Sequence, residues 1–123
     1  MALVLDAGAL IAIERRDRNV IARLVAAHEA VEPVRTSTAA VAQVWRDGTR
    51  QATLARVLRG VEEADIDSTQ AREIGQLLRT TKSSDVVDAA IALIAQSGDE
   101  ILTSDPSDIK ALVQVRRVNV VSV

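Results

Sequence analysis

The sequence has no cysteine, one histidine and one aromatic residue, and each shortage excludes a kind of site. Without cysteine there is no disulfide, no thiol nucleophile and no thiolate zinc site. The single histidine, His28, leaves no plausible Ser-His-Asp triad. Because Trp45 is the only aromatic residue, the core must be built from Ala, Val, Leu and Ile. This composition favours β-branched strands alternating with helices rich in Ala and Leu.

The length of 123 residues predicts one domain, spanning residues 1–123, that can bury most of the surface its unfolded chain exposes. The N-terminus carries an acid at Asp6 and no basic leader. The apolar run over residues 7–13 is too short to cross a bilayer. We therefore expect a soluble cytoplasmic protein with no membrane partner.

The net charge of −2 conceals an asymmetry along the chain. Residues 14–59 contain nine arginines and five acidic residues, whereas residues 60–123 contain eleven acidic and six basic residues. Most of these charges are expected on solvated helix faces. A basic half beside an acidic half would also suit a protein that attracts a polyanion and binds cations elsewhere.

Strands and helices alternate in the predicted secondary structure. Apolar and β-branched runs predict strands at residues 2–5, 33–36, 61–66, 100–103 and 118–121. Apolar residues at helical spacing predict helices at residues 10–14, 20–25, 38–45, 51–58, 68–78, 85–96 and from 106 onward. The expected helix caps include Ser37 or Thr38, Ser68, and Ser83 or Ser84. This alternation predicts an α/β fold with a mainly parallel sheet of four to five strands flanked by helices.

Four aspartates are expected at one edge of this sheet. Ligands of parallel sheets bind outside the carboxyl ends of the strands. Asp6 ends the first predicted strand, and Asp105 follows the fourth. Asp85 and Asp88 lie three residues apart and therefore on one face of a helix. All four carboxylates are expected to reach a single crevice.

Most of these aspartates also have a purely structural explanation. Asp6 can end its strand in an Asx-turn, and Asp85 can favour a helix N-terminus. Asp105 at the N-cap, followed by Pro106 and Asp108 in the first turn, would start a helix well. Asp88 is harder to explain, because a carboxylate in an otherwise apolar segment needs a partner.

The chemistry of a carboxylate cluster points to a divalent cation. Two carboxylates about 4 Å apart repel by about 4 kcal/mol at an effective dielectric constant near 20. The cluster must therefore take up protons or bind cations. Because the donors are all oxygens, the expected ion is Mg²⁺ or Mn²⁺, which can support hydrolysis of a phosphodiester.

Three short segments, in their order and spacing, carry a resemblance to a known family: Val4–Gly8, Asp88–Ala92 and Leu102–Asp105. Over nearly its whole length the chain resembles PIN-domain ribonucleases, in particular the VapC-type toxins of prokaryotic toxin–antitoxin pairs. The resemblance implies a three-layer PIN-like fold, a Mg²⁺ or Mn²⁺ site and endonucleolytic cleavage of RNA. It also implies a homodimer that is inhibited by a cognate antitoxin.

Carried over by position, the resemblance assigns the metal-site acids to Asp6, Asp88 and Asp105. Thr103 would support them by hydrogen-bonding a ligand, a water or the phosphate. Asp108 would be a further carboxylate, either a direct or a water-mediated ligand.

Gln43 departs from the family pattern, which has a glutamate in this helix within an Ala-Glu-Val-like stretch. The carbonyl of Gln43 can accept a hydrogen bond or coordinate weakly, but it brings no charge. Asp47, one helical turn later on the same face, or Asp85 could substitute for the missing acid. Alternatively, Gln43 is simply a polar residue on a solvent-exposed helix face, or it marks a site with lowered metal affinity or lost catalysis. In the last case the protein would be an RNA-binding or antitoxin-binding module.

Two arginines near Gln43 are candidate RNA contacts. Arg46 and Arg50 could bind phosphates beside the metal site, or they could form surface salt bridges with Asp47 and other acids. Trp45 could stack on a base, although a lone aromatic on a helix is more often a core anchor.

Overall fold

A computed structural model of the protein describes residues 1–113 and 116–123. Its strands are β1 Leu3–Leu5, β2 Val34–Ser37, β3 Glu62–Ala64, β4 Glu100–Thr103 and β5 Asn119–Ser122. Its helices are α1 Ala7–Glu14, α2 Arg18–Glu29, α3 Thr38–Val44, α4 Ala52–Leu58, α5 Ser68–Thr81, α6 Val86–Ile94 and α7 Pro106–Val113. Among these described helices, none is long and apolar enough to cross a membrane.

The five strands form one parallel sheet in the order β3-β2-β1-β4-β5. The chain builds outward from β1 to β2 and β3, and then returns to the other side of β1 for β4 and β5. The strand order therefore reverses between β1 and β4, and such a switch point opens a crevice at the carboxyl edge of a parallel sheet. The predicted α/β fold with a mainly parallel sheet is confirmed.

The central strand β1 is covered on both faces. Leu3, Val4 and Leu5 are all fully buried, although successive side chains of a strand point to opposite faces. Helix α1 packs on β1 and contacts α2, α3 and α4, while α6 packs on β1 and β2 and contacts α5 and α7. The apolar sequence of β1 is thus explained by its place in the middle layer.

Several helix starts differ from the sequence prediction because an aspartate serves as the cap. Asp6 accepts a hydrogen bond from the N–H of Ala9 at 2.8 Å, so α1 begins at Ala7 rather than near residue 10. Asp67, not Ser68, caps α5 in a capping box with Gln70. Asp85, not Ser83 or Ser84, caps α6.

Helix α3 ends earlier than predicted, and this corrects two interpretations. Its last residue is Val44, and Trp45 is already extended, with φ −68° and ψ 131°. Asp47 therefore lies outside the helix, and the prediction that it shares a helical face with Gln43 is wrong. The interpretation of Trp45 as a core anchor is also wrong, because 37% of the residue is exposed.

Asp99 is a buried structural acid directly before β4. One carboxylate oxygen accepts a hydrogen bond from the N–H of Ala2 at 2.8 Å, and the other accepts one from Gln96 at 2.9 Å. Its own carbonyl accepts a hydrogen bond from Asn119. Asp99 thereby holds the starts of β1, β4 and β5 together at the edge of the sheet opposite the switch-point crevice.

Candidate metal centre

Asp6 lies directly after β1 and is 2% exposed. Burial raises the pKa of this carboxyl, while the Thr103 hydroxyl and the N–H groups of Ala9 and Ser104 act in the opposite direction; the charge of Asp105 raises the pKa further. Its carboxylate caps α1 by accepting from the N–H of Ala9, three residues on, so its structural role is a helix cap and not the Asx-turn expected from the sequence. The same side chain nevertheless faces the end of β4, where Thr103, Ser104 and Asp105 lie.

Asp88 lies in the first turn of α6 and is 8% exposed. Burial, followed by the charges of Asp85, Asp6, Asp105 and Asp108, raises the pKa of its carboxyl to about 6. Asp88 therefore experiences the field of the other three aspartates expected at this edge of the sheet and of Asp108. The carboxylate of Asp85 accepts a hydrogen bond from the N–H of Asp88 at 2.9 Å, which places the two acids at the start of one helix.

Asp105 and Asp108 lie in the connection from β4 into α7. The N–H of Asp105 donates to the buried Thr103 hydroxyl at 2.8 Å, and its carbonyl accepts from Ile109 at 3.1 Å. No hydrogen bond from residues 1–113 or 116–123 reaches the Asp105 carboxylate. Helix α7 begins at Pro106 as predicted. Asp105 precedes this helix, but among the described residues its carboxylate accepts no capping hydrogen bond.

Three of these acids form a compact donor set. Asp88, Asp105 and Asp108 each present one carboxylate oxygen, and these oxygens lie within 4.8 Å of one another. Ligands of an octahedral Mg²⁺ lie about 3 Å apart when adjacent and about 4.2 Å apart when opposite, so the three side chains would have to close in around a bound ion. An oxygen-only donor set with several negative charges fits Mg²⁺ or Mn²⁺. Asp108 holds a more central place than the sequence suggested, and Asp6 is the neighbouring acid.

Among solved structures, the whole chain is similar to a chain of VapBC2 from Rickettsia felis, crystallised with a DNA fragment from the promoter of these proteins, at 14% identity and a TM-score of 0.72. The chain has a PIN-like fold. The match covers 100% of this chain and 99% of the other, so the resemblance predicted from three short segments is confirmed for the fold. No family model and no curated protein matches the sequence.

Gln43 lies on the exposed side of α3, the helix that follows β2 in the PIN-like sheet. None of the described hydrogen bonds joins it to the aspartates. Asp47, one of its two candidate substitutes, accepts hydrogen bonds from the hydroxyl and N–H of Thr49, which lower the pKa of its carboxyl. Asp85, the other candidate, is coupled to Asp88. Of the two, only Asp85 belongs to the acidic cluster.

The two candidate RNA-binding arginines have local partners. Arg46 donates to the carbonyl oxygens of Ala42 and Trp45 at the end of α3, and Arg50 lies 3.9 Å from the Asp47 carboxylate. The Arg50 side chain is 88% exposed. Arg50 therefore forms the kind of surface salt bridge that was the alternative to RNA binding. Both guanidinium groups lie on the surface. Their proposed contact with RNA stays a prediction.

Sequence reasoning missed two contacts that shape the PIN-like crevice. The buried hydroxyl of Thr36 in β2 donates to the carbonyl of Leu5 at 2.8 Å, immediately before Asp6. Gly8 in α1 packs directly against Ser104, the residue before Asp105. A threonine in a strand and a glycine in a helix give no distinctive sequence signal. Both contacts become visible only when β1, β2 and β4 lie side by side.

Proposed function

We propose that the protein is a Mg²⁺- or Mn²⁺-dependent endoribonuclease toxin of the VapC type, which hydrolyses phosphodiester bonds in RNA. The observation that carries the proposal is the convergence of Asp6, Asp85, Asp88, Asp105 and Asp108 at the switch point of a PIN-like sheet. The ligand atoms would come from Asp88, Asp105 and Asp108, with Asp6 beside them. The products expected of this chemistry are 5′-phosphate and 3′-hydroxyl ends.

In the proposed site, a cation would supply the chemistry and neighbouring contacts position the acidic residues. A bound divalent cation would supply a water of lowered pKa and would offset negative charge on the phosphodiester. Thr103 holds the Asp105 backbone through its hydroxyl, and the α1 N-terminus holds Asp6. Asp85 holds the first turn of α6, which carries Asp88. These contacts fix the Asp6 carboxylate and the backbones of Asp88 and Asp105 before any ion or substrate arrives.

The proposed partners follow from the same resemblance. The similar chain was crystallised as part of VapBC2. By analogy, we propose that this protein also binds a cognate antitoxin. A homodimer, a cytoplasmic location and an RNA substrate contacted by Arg46 and Arg50 belong to the same proposal.

The direct test is RNA cleavage by purified protein freed of antitoxin. Cleavage is expected with Mg²⁺ or Mn²⁺, and EDTA is expected to stop it. Asp88→Asn should abolish it, because this change removes a buried ligand while keeping the side-chain shape. Asp65→Asn is the matched control, since Asp65 also follows a strand of the sheet but is exposed and outside the cluster. Undiminished cleavage by Asp88→Asn would refute the assignment.

One observation favours a second candidate function, a catalytically weakened module that binds RNA or an antitoxin. Gln43 replaces the expected acid, and none of the described contacts joins it to the cluster. Gln43→Glu separates the two candidates. Weak native cleavage that rises sharply in the variant would favour the weakened site. A fall in cleavage would instead mean that Gln43 takes part in a working site.

A further inference from the structure

We propose that Gly8 is a positioning residue of the metal centre, because its missing side chain lets Ser104 pack against α1 and thereby sets Asp6 and Asp105 in place. A Cβ at Gly8 would overlap the Ser104 Oγ and would lie 2.5 Å from the Ser104 Cβ and 3.1 Å from the Ser104 backbone nitrogen. Rotation about χ1 would move the hydroxyl but not the Cβ. The backbone of α1 or of the β4–α7 connection would have to shift. The inference rests on the proposed metal site.

The segment that would shift connects two of the acids. Ser104 precedes Asp105, and its N–H interacts with the Asp6 carboxylate. The N–H of Asp6 in turn donates to the carbonyl of Leu102 at 3.2 Å. The close approach of Gly8 and Ser104 therefore lies within the group of contacts that joins the end of β1 to the end of β4. A displacement there changes the separation of Asp6 and Asp105.

Gly8 is needed for space, not for an unusual backbone conformation. It lies in the first turn of α1, and in the described part of the chain the only glycine with positive φ is Gly98. A helical glycine is ordinarily less favourable than alanine. Gly75 in α5 illustrates the ordinary case, because a Cβ added there would meet nothing within 4 Å. Gly75→Ala is accordingly the matched control for Gly8→Ala.

The experiment compares Mn²⁺ binding, measured by calorimetry without RNA, among the full-length wild type and its variants. Gly8→Ala is expected to weaken binding on the order of ten-fold or more, as loss of a supporting contact does at other metal sites. Gly75→Ala should bind as the wild type does. Ser104→Gly removes both of the shortest contacts, so adding it to Gly8→Ala should restore the affinity to that of Ser104→Gly alone.

A second measurement needs no metal. In EDTA, the amide NMR shifts of Ser104 and Asp105 should move in Gly8→Ala and stay in place in Gly75→Ala. Wild-type Mn²⁺ affinity in Gly8→Ala would overturn the inference. If Gly8→Ala does not fold, weaker binding by the double variant than by Ser104→Gly would overturn it equally. Failure of the wild type to bind Mn²⁺ would refute the proposed function itself, and with it the role of Gly8.

Discussion

Asp88→Asn is expected to make the metal-free protein more stable while it abolishes RNA cleavage. Asp88 is 8% exposed, and burial together with four neighbouring acids raises the pKa of its carboxyl from 3.8 to about 6. In the folded protein, ionisation of Asp88 is therefore unfavourable relative to the unfolded chain. Asparagine keeps the shape of the side chain and removes the charge.

The size of the expected gain in stability follows from the raised pKa of Asp88. A tenfold change in an ionisation constant corresponds to about 1.36 kcal/mol, so the rise of this pKa from 3.8 to about 6 sets an upper limit near 3 kcal/mol. Solvent reaches the cluster through the exposed Asp105 and Asp108, and screening reduces the expected gain to about 1–2 kcal/mol at neutral pH. This gain is a substantial fraction of the free energy of unfolding of a small domain.

The raised pKa of Asp88 also predicts how the stability of the wild type changes with pH. Between the unfolded pKa near 3.8 and the folded pKa of about 6, the folded protein binds more protons than the unfolded chain. The stability of the wild type therefore falls as pH rises through this window. Burial of Asp6, whose pKa is also raised, acts in the same direction and remains in the variant. The stability advantage of Asp88→Asn should grow from near zero at about pH 4 to its full value above about pH 6.

The assay is urea unfolding of the wild type and Asp88→Asn in EDTA, at a series of pH values from about 4 to about 8. Asp65→Asn serves as the control and should show no growing advantage in this window. A variant that is less stable than the wild type at neutral pH would refute the reasoning, as would a constant difference between the two proteins across the window.

Three further predictions concern other parts of the molecule. Asp99→Ala should lower the free energy of unfolding by about 2–4 kcal/mol, because one buried and one partly buried N–H group lose a charged acceptor; urea unfolding measures the loss, and a change like that of Asp65→Ala would contradict it. Gly75→Ala should raise the same free energy by about 0.5–1 kcal/mol, since its Cβ is unobstructed; destabilisation would contradict this. Mn²⁺ at about 100 times its Kd should stabilise the wild type by about 2.7 kcal/mol in a thermal-shift or unfolding assay, and Asp88→Asn much less; equal stabilisation would contradict a role for Asp88.

The sequence was sufficient for the features that depend on strand order and local pattern. The apolar segment Leu3–Leu5 and the position of Asp105 after β4 follow from patterning, and parallel strands bring their carboxyl ends to one edge. The convergence of Asp6, Asp88 and Asp105 was therefore predictable. The central place of Asp108 was not, because it depends on the orientation of α7 relative to α6.

The end of α3 shows why other details could not be predicted. The Gln51 side chain accepts hydrogen bonds from the N–H groups of Arg46 and Asp47 and donates to the carbonyl of Val44. These contacts provide partners for the backbone just beyond Val44, where the chain leaves the helix. They come from a residue that follows the helix by seven positions, so local periodicity contains no trace of them. The exposed position of Trp45 is a consequence of the same early helix end.

The most direct measurement of the central claim is the anomalous diffraction of crystals soaked in Mn²⁺. We expect one or two ions at the carboxyl edge of the sheet, with carboxylate oxygens of Asp88, Asp105 and Asp108 in the coordination sphere and Asp6 beside it. Crystals that bind no Mn²⁺ between β1 and β4, or that bind it only at acids outside this cluster, would contradict the proposed metal centre.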